Sequence, residues 1–162
     1  ERFRSRTPQT NRDPGQPQLS WDTPEGWSEK PGTDMRLANF TFGEQNEGEV
    51  YVVRLQGGGG GLLANVNRWR GQMGLPPISE EDVASLPKKL LFGLEATYVS
   101  MDGTFTGMGT EPKENYRMLG LILSSDIGAV FVKMTGPREL VAENEEKFDE
   151  FCQSLGLGVP GQ

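Results

Sequence analysis

The chain has 162 residues, 35% of them hydrophobic, and a formal charge of −7, with no histidine and a single cysteine, Cys152. That length suits one domain. The absent histidines and lone thiol exclude histidine-activated serine or cysteine nucleophiles, zinc sites built on His and Cys, and any internal disulfide; carboxylates, lysine, tyrosine and backbone amides are what remain for chemistry.

The first twenty residues set Arg2, Arg4, Arg6 and Arg12 against Glu1 and Asp13, and offer only Phe3 and Leu19 as large apolar groups. Such a stretch buries too little to offset its ordering entropy, so residues 1–20 read as a disordered polar tether. The remainder then carries −9 and has no lysine or arginine cluster of the kind that displaces counterions from a duplex, so nucleic acid is not an expected partner. No apolar run approaches the roughly 20 residues that span a bilayer, so no transmembrane segment is expected. A polar tail starting at Glu1 suits an exported bacterial domain behind a removed signal or lipid-anchor segment. Export to the periplasm, or tethering to a membrane, is the expected location; a cytoplasmic origin is the alternative.

Residues 21–158 read as one domain. Trp21–Trp27, WDTPEGW, mixes aromatics that need burial with turn formers and suggests a short edge strand or ordered arm. Asp34–Phe42 reads as a strand whose apolar phase changes near Ala38, which predicts a bulge there. After the turn at Gly43–Gly48, Glu49–Leu55 is its partner, with Tyr51, Val53 and Leu55 facing one way. Five glycines, Gly57–Gly61, lead into a helix in which Leu62, Val66, Trp69 and Met73 form one apolar stripe. Gly74 closes that helix, and Pro76-Pro77 prevent its continuation. A shorter helix starts at Ser79 as N-cap with Asp82 at the third position, and Ile78 and Val83 are placed as a hydrophobic staple.

Strands are predicted at Leu90–Met101, Tyr116–Ser124 and Ile127–Met134, the last two joined by a tight turn at Ser125-Asp126. The segment Asp102–Asn115 reads as an exposed loop. A final helix follows Pro137, buries Val141, Phe148, Phe151, Cys152 and Leu155 on one face, and ends at Gly156 and Gly158, with residues 159–162 frayed. Hairpins without alternating crossover helices predict an α+β fold: a three-layer α/β/α sandwich around a mainly antiparallel sheet of about six strands.

The segments WDTPEGW, VNRWRGQMGL, YRMLGLI, AVFVKMTGP and FDEFCQSL together resemble the PsbP-like fold, shared by a photosynthetic extrinsic subunit and a Ran-binding nuclear-import factor, over about Trp21–Leu155. The NRWRGQ segment is also similar to uncharacterised exported bacterial proteins. The resemblance implies an accessory or binding role rather than catalysis, and carries no ligand residue over to this chain.

Two features carry candidate binding chemistry. Gly58, Gly59 and Gly60 let backbone amides approach a ligand and feed a helix N-terminus, but no Gly-Lys-Ser/Thr follows, so they read as a strand-to-helix hinge, as a contact for a partner or small ligand, or as a small-anion site. On the helix, Asn65, Arg68 and Gln72 fall on one polar stripe flanked by Asn67 and Arg70; this face either recognises an anionic group or acidic partner, or ties the helix to its own neighbours. Cys152 reads as a buried inert thiol. Asp102, Glu111 and Asp126 lack the spacing of a calcium loop, and no metal or cofactor is expected. The leading expectation is a non-catalytic accessory or binding domain, with a protein or small ligand as partner, as a monomer or weak oligomer. A carboxylate-based hydrolase or lyase and anion binding at the glycines are the alternatives.

Overall fold

The computed structural model describes residues 18–32, 36–56, 61–106, 111–125 and 128–158. In chain order the elements are β1 (Gln18–Ser20), β2 (Ser28–Glu29), β3 (Arg36–Phe42), β4 (Gly48–Gln56), α1 (Leu62–Gln72), α2 (Glu80–Ala84), β5 (Lys88–Leu91), β6 (Leu94–Phe105), β7 (Lys113–Ser125), β8 (Gly128–Pro137), α3 (Arg138–Glu143), α4 (Glu145–Ser154) and β9 (Gly156–Gly158). Strands β2 to β8 form one antiparallel sheet in the order β2-β3-β4-β8-β7-β6-β5. Two meanders therefore meet where β8 pairs with β4.

The inner strands are apolar in both phases because both faces of the sheet are covered. On one face Val50, Val52, Leu119, Leu121, Val132 and Met134 pack with Val141 of α3 and with Phe148, Phe151 and Cys152 of α4. On the other, Val53, Met118, Ile122 and Phe131 pack with Val66, Trp69 and Met73, as the stripe on α1 predicts, and with Val83 of α2. Trp27 stacks on Phe42 at 5.9 Å and meets Phe40 and Phe151, while Trp21 meets Phe40 edge-on at 5.8 Å, so the aromatics ahead of β3 are core.

Local signals explain the ends of the helices. Gly74, at φ 71°, takes the left-handed position after α1, and the bonds Leu75 N–H to Arg70 C=O and Gly74 N–H to Gly71 C=O complete a Schellman closure. Ser79 and Asp82 form the reciprocal capping box of α2. Ser79→Ala is expected to cost about 1 kcal/mol in denaturant titration, and an unchanged midpoint would show that α2 does not depend on its cap. The register shift between Arg36 and Ala38 is the bulge that the change of phase predicts.

The sheet has seven strands rather than about six. The segment expected as one strand from Leu90 is two, β5 and β6, folded sharply at Phe92 (φ 55°) and Gly93 (φ 77°), the paired positive angles of a type I′ turn. Both ends of the expected loop Asp102–Asn115 are strand: β6 runs to Phe105 and β7 starts at Lys113, with Phe105 stacked on Tyr116 at 5.8 Å, and 107–110 lie outside the described residues. The expected last helix is two, broken at Asn144, whose Oδ1 accepts from the Trp27 indole while its Nδ2 donates to the Leu140 carbonyl. Gly156–Gly158 do not merely end that helix; they pair with Gln18–Ser20. Pro112 and Glu111 precede β7, and Asp126 lies outside the described residues.

Candidate functional site

Helix α1 lies over β6, β7 and β8, and its polar side chains divide into internal ties and one exposed cation. Asn65 is fully buried, and its Nδ2 donates to the Gly61 carbonyl at 2.7 Å. Asn67 grips the segment before α2 twice: its Nδ2 donates to the Ile78 carbonyl, and its Oδ1 accepts from the Ile78 N–H. Arg70 Nε donates to the Pro76 carbonyl at 2.6 Å. Gln72 Oε1 accepts from Lys133 Nζ at 2.6 Å. Arg68 alone of these five is exposed, and it makes no hydrogen bond among the described residues. Gly58, Gly59 and Gly60 lie outside the described residues; Gly61 is the N-cap of α1.

The structure gathers around Arg68 a group that the sequence reading did not assemble. Lys133, on β8, is 5% exposed, although a lone ammonium is costly to bury. Its cross-strand partners are Tyr51 on β4 and Gly120 on β7. Its Nζ lies 5.0 Å from the Trp69 ring centre and 5.9 Å from that of Tyr51. Among the described residues its only hydrogen-bond partner is the neutral Gln72. Burial, reinforced by the charge of Arg68 and only partly opposed by Glu49, pushes the Lys133 ammonium down to about 7. Across Tyr51, the Arg36 guanidinium stacks 3.9 Å from the ring centre and bonds Glu49 Oε2 at 2.8 Å and Asn39 Oδ1 at 3.1 Å. Burial raises the Tyr51 hydroxyl above its ordinary range against the pull of Arg36. This β3–β4–β8 face therefore sets three cations, Arg36, Arg68 and Lys133, around one tyrosine and one carboxylate in a domain that is acidic overall.

Arg117, Asp102 and Glu145 are committed to structure. Arg117 forks onto Asp102 (2.6 and 3.1 Å) and reaches Glu145 at 2.6 Å, which joins β6, β7 and α4 and, through its hydrogen bonds, holds the Asp102 carboxyl below the usual range. Asp102 is therefore held ionised and is not the protonated acid of a carboxyl pair. No grouping of three or more potential metal ligands occurs among the described residues. Burial pushes the Cys152 thiol up, as an inert core thiol requires. A cleft of about 930 Å³ lies between α4 and the β5–β6 hairpin, and a smaller one of about 310 Å³ lies beside Asp102, Tyr116 and Arg138.

No helix among the described residues is long and apolar enough to cross a membrane. No protein-family model matches the chain, and no curated protein matches it significantly. Among solved structures, the chain is similar to LpqN of Mycobacterium tuberculosis, described as involved in cell envelope biogenesis: the TM-score is 0.55 at 12% identity, over 97% of this chain and 92% of LpqN. It is also similar to a protein from Bacteroides thetaiotaomicron VPI-5482 with a TM-score of 0.51 at 14% identity, over 89% of this chain. This chain spans 46% of the Bacteroides structure. At these identities the likeness is one of fold.

Proposed function

We propose that the chain is a non-catalytic binding domain of the bacterial cell envelope that presents the β3–β4–β8 face beside α1 to an anionic group on its ligand or partner. The observation that carries this reading is Lys133: a buried lysine whose one hydrogen bond among the described residues goes to a neutral amide, and which feels the exposed Arg68 as a second cation. An incoming carboxylate or phosphate would supply the missing counter-charge to both. The fold shared with LpqN supports the envelope setting. The PsbP-like family and a periplasmic, membrane-tethered location belong to the same proposal.

Thermal shift with inorganic phosphate, against chloride at matched ionic strength, tests it. Phosphate should raise Tm, and Arg68→Ala should remove most of the rise. An equal rise in wild type and Arg68→Ala would sink the assignment of this face.

A further inference from the structure

We propose that Lys133 is a carbamylation site: its buried Nζ, as the free amine, takes up carbon dioxide and becomes an anionic carbamate between Arg68 and Arg36. This modification does not depend on anion binding at the same face, because the counter-charge is made on the lysine itself.

An ammonium has three N–H donors, and among the described residues Lys133 finds one acceptor, the Gln72 Oε1 at 2.6 Å. Its other neighbours offer none: the Trp69 and Tyr51 rings lie 5.0 and 5.9 Å from Nζ, and the residue across the strand on β7 is Gly120. Ring faces attract a cation, but by less than burial of an unpaired ammonium costs. A carbamate nitrogen, in contrast, keeps a single N–H, which Gln72 satisfies.

The charges around Lys133 act in the same direction. Arg68 on α1 and Arg36 on β3 both drive the proton off, and Glu49 on β4, which opposes them, is bonded to Arg36. Tyr51, the other titratable group facing the site, is kept neutral by burial. With a value of about 7, Lys133 is mostly free amine in mildly alkaline solution. At about pH 8 that fraction is about nine-tenths, against well under about 1% for an ordinary lysine, so the selectivity is built into the fold.

Carbon dioxide is small and uncharged, so it reaches a side chain only 5% exposed without carrying a charge into the fold. The Nζ lone pair attacks its carbon; a C–N bond forms, one C=O electron pair moves onto oxygen, and an N–H proton leaves to water. The lysine changes from a cation with no counter-ion to an anion flanked by two guanidiniums, which is how a buried charge is stabilised. The side toward β3 and β4 can receive the new carboxylate, since the Arg36 and Glu49 side chains are 30% and 41% exposed.

Solution NMR of the full chain, carrying lysine labelled with nitrogen-15 at Nζ and held in carbon-13 bicarbonate at about pH 8, tests the site. Wild type should show a carbamate carbon split by one-bond coupling to a lysine nitrogen, a splitting that neither an α-amino carbamate nor free bicarbonate gives. Lys133→Met should abolish it. Gln72→Glu, which gives the ammonium a fixed counter-ion of the same size, should reduce it at least about tenfold. Arg68→Ala, at an exposed position, should reduce it about threefold. The proposal is overturned by absence of the coupled signal in wild type, by its survival in Lys133→Met, or by wild-type intensity in Gln72→Glu or Arg68→Ala. Bicarbonate held at the face without coupling would also overturn it, while leaving the anion-binding reading intact.

Discussion

Replacing Gly120 with alanine is expected to destabilise the fold by about 3 kcal/mol in denaturant titration, the upper range for inserting a single carbon into a packed core. Gly120 lies on β7 directly under α1, and a Cβ there would overlap the six-membered ring of Trp69. That ring is 2% exposed and meets Phe131 edge-on at 5.5 Å, so it has nowhere to retreat without disturbing β8. The side chain cannot simply swing aside, because it is the largest apolar group that α1 contributes to its core. Trp69→Leu, which opens a cavity, should cost about 3 kcal/mol by itself. If the overlap is the cause, the two changes are strongly non-additive: the double variant should be more stable than the sum of the single effects predicts by at least about 1 kcal/mol. Strict additivity would show that Gly120 matters for its backbone and not for the ring above it.

The same contact shows what the sequence made legible. The spacing of Leu62, Val66, Trp69 and Met73 is a strong signal because four large apolar residues share one helix face, and the capping residues Ser79 and Asp82 are specific in type and position. That Trp69 requires a glycine beneath it depends on strand register across β7, which no local pattern encodes. The hairpin at Phe92-Gly93 is hidden because phenylalanine is not a turn signal; packing of Phe92 against the core overrides local preference there. The break at Asn144 carries neither proline nor a terminating glycine, and its cause is an indole from 117 residues earlier in the chain. Gly156–Gly158 resemble a helix terminator because the partner that turns them into a strand lies at the other end of the domain.

For the candidate site, residue types were readable and their use was not. Amides and arginines on α1 were correctly placed on one helix, but only the folded register reveals that Asn67 and Arg70 are turned toward the segment before α2 and Gln72 toward Lys133. Lys133 did leave a trace in the sequence: it is the single charge in the apolar strand Ala129–Met134. In a strand covered on both faces, a lone lysine must be buried whichever way it points.

Lys133→Met is expected to stabilise the protein by about 3 kcal/mol near pH 6 and to remove a rise in stability that the wild type shows between about pH 7 and pH 9. The ammonium has a folded value of about 7 against an ordinary 10.5, so between those values the unfolded chain holds a proton that the folded chain has released. Unfolding then takes up protons, and stability climbs as they become scarcer. Below about pH 7 both states are charged, and the whole burial penalty is present. The groups facing Lys133 set the size of the effect: Arg68 on α1 and Arg36 on β3 deepen it, and Glu49 on β4 opposes it. The window closes near pH 9, because the Cys152 thiol is raised by burial: the folded state keeps its proton where the unfolded state loses it, which lowers stability as pH rises further. Methionine fills nearly the same space without a charge, so Lys133→Met should be flat from pH 7 to pH 8.5 and retain only the later decline. A lysine held charged through an unseen partner would instead leave wild type and variant with parallel profiles. Because an anion at the site would hold Lys133 protonated, saturating phosphate should flatten the wild-type rise as well, which links the stability of the fold to occupancy of the face proposed to bind.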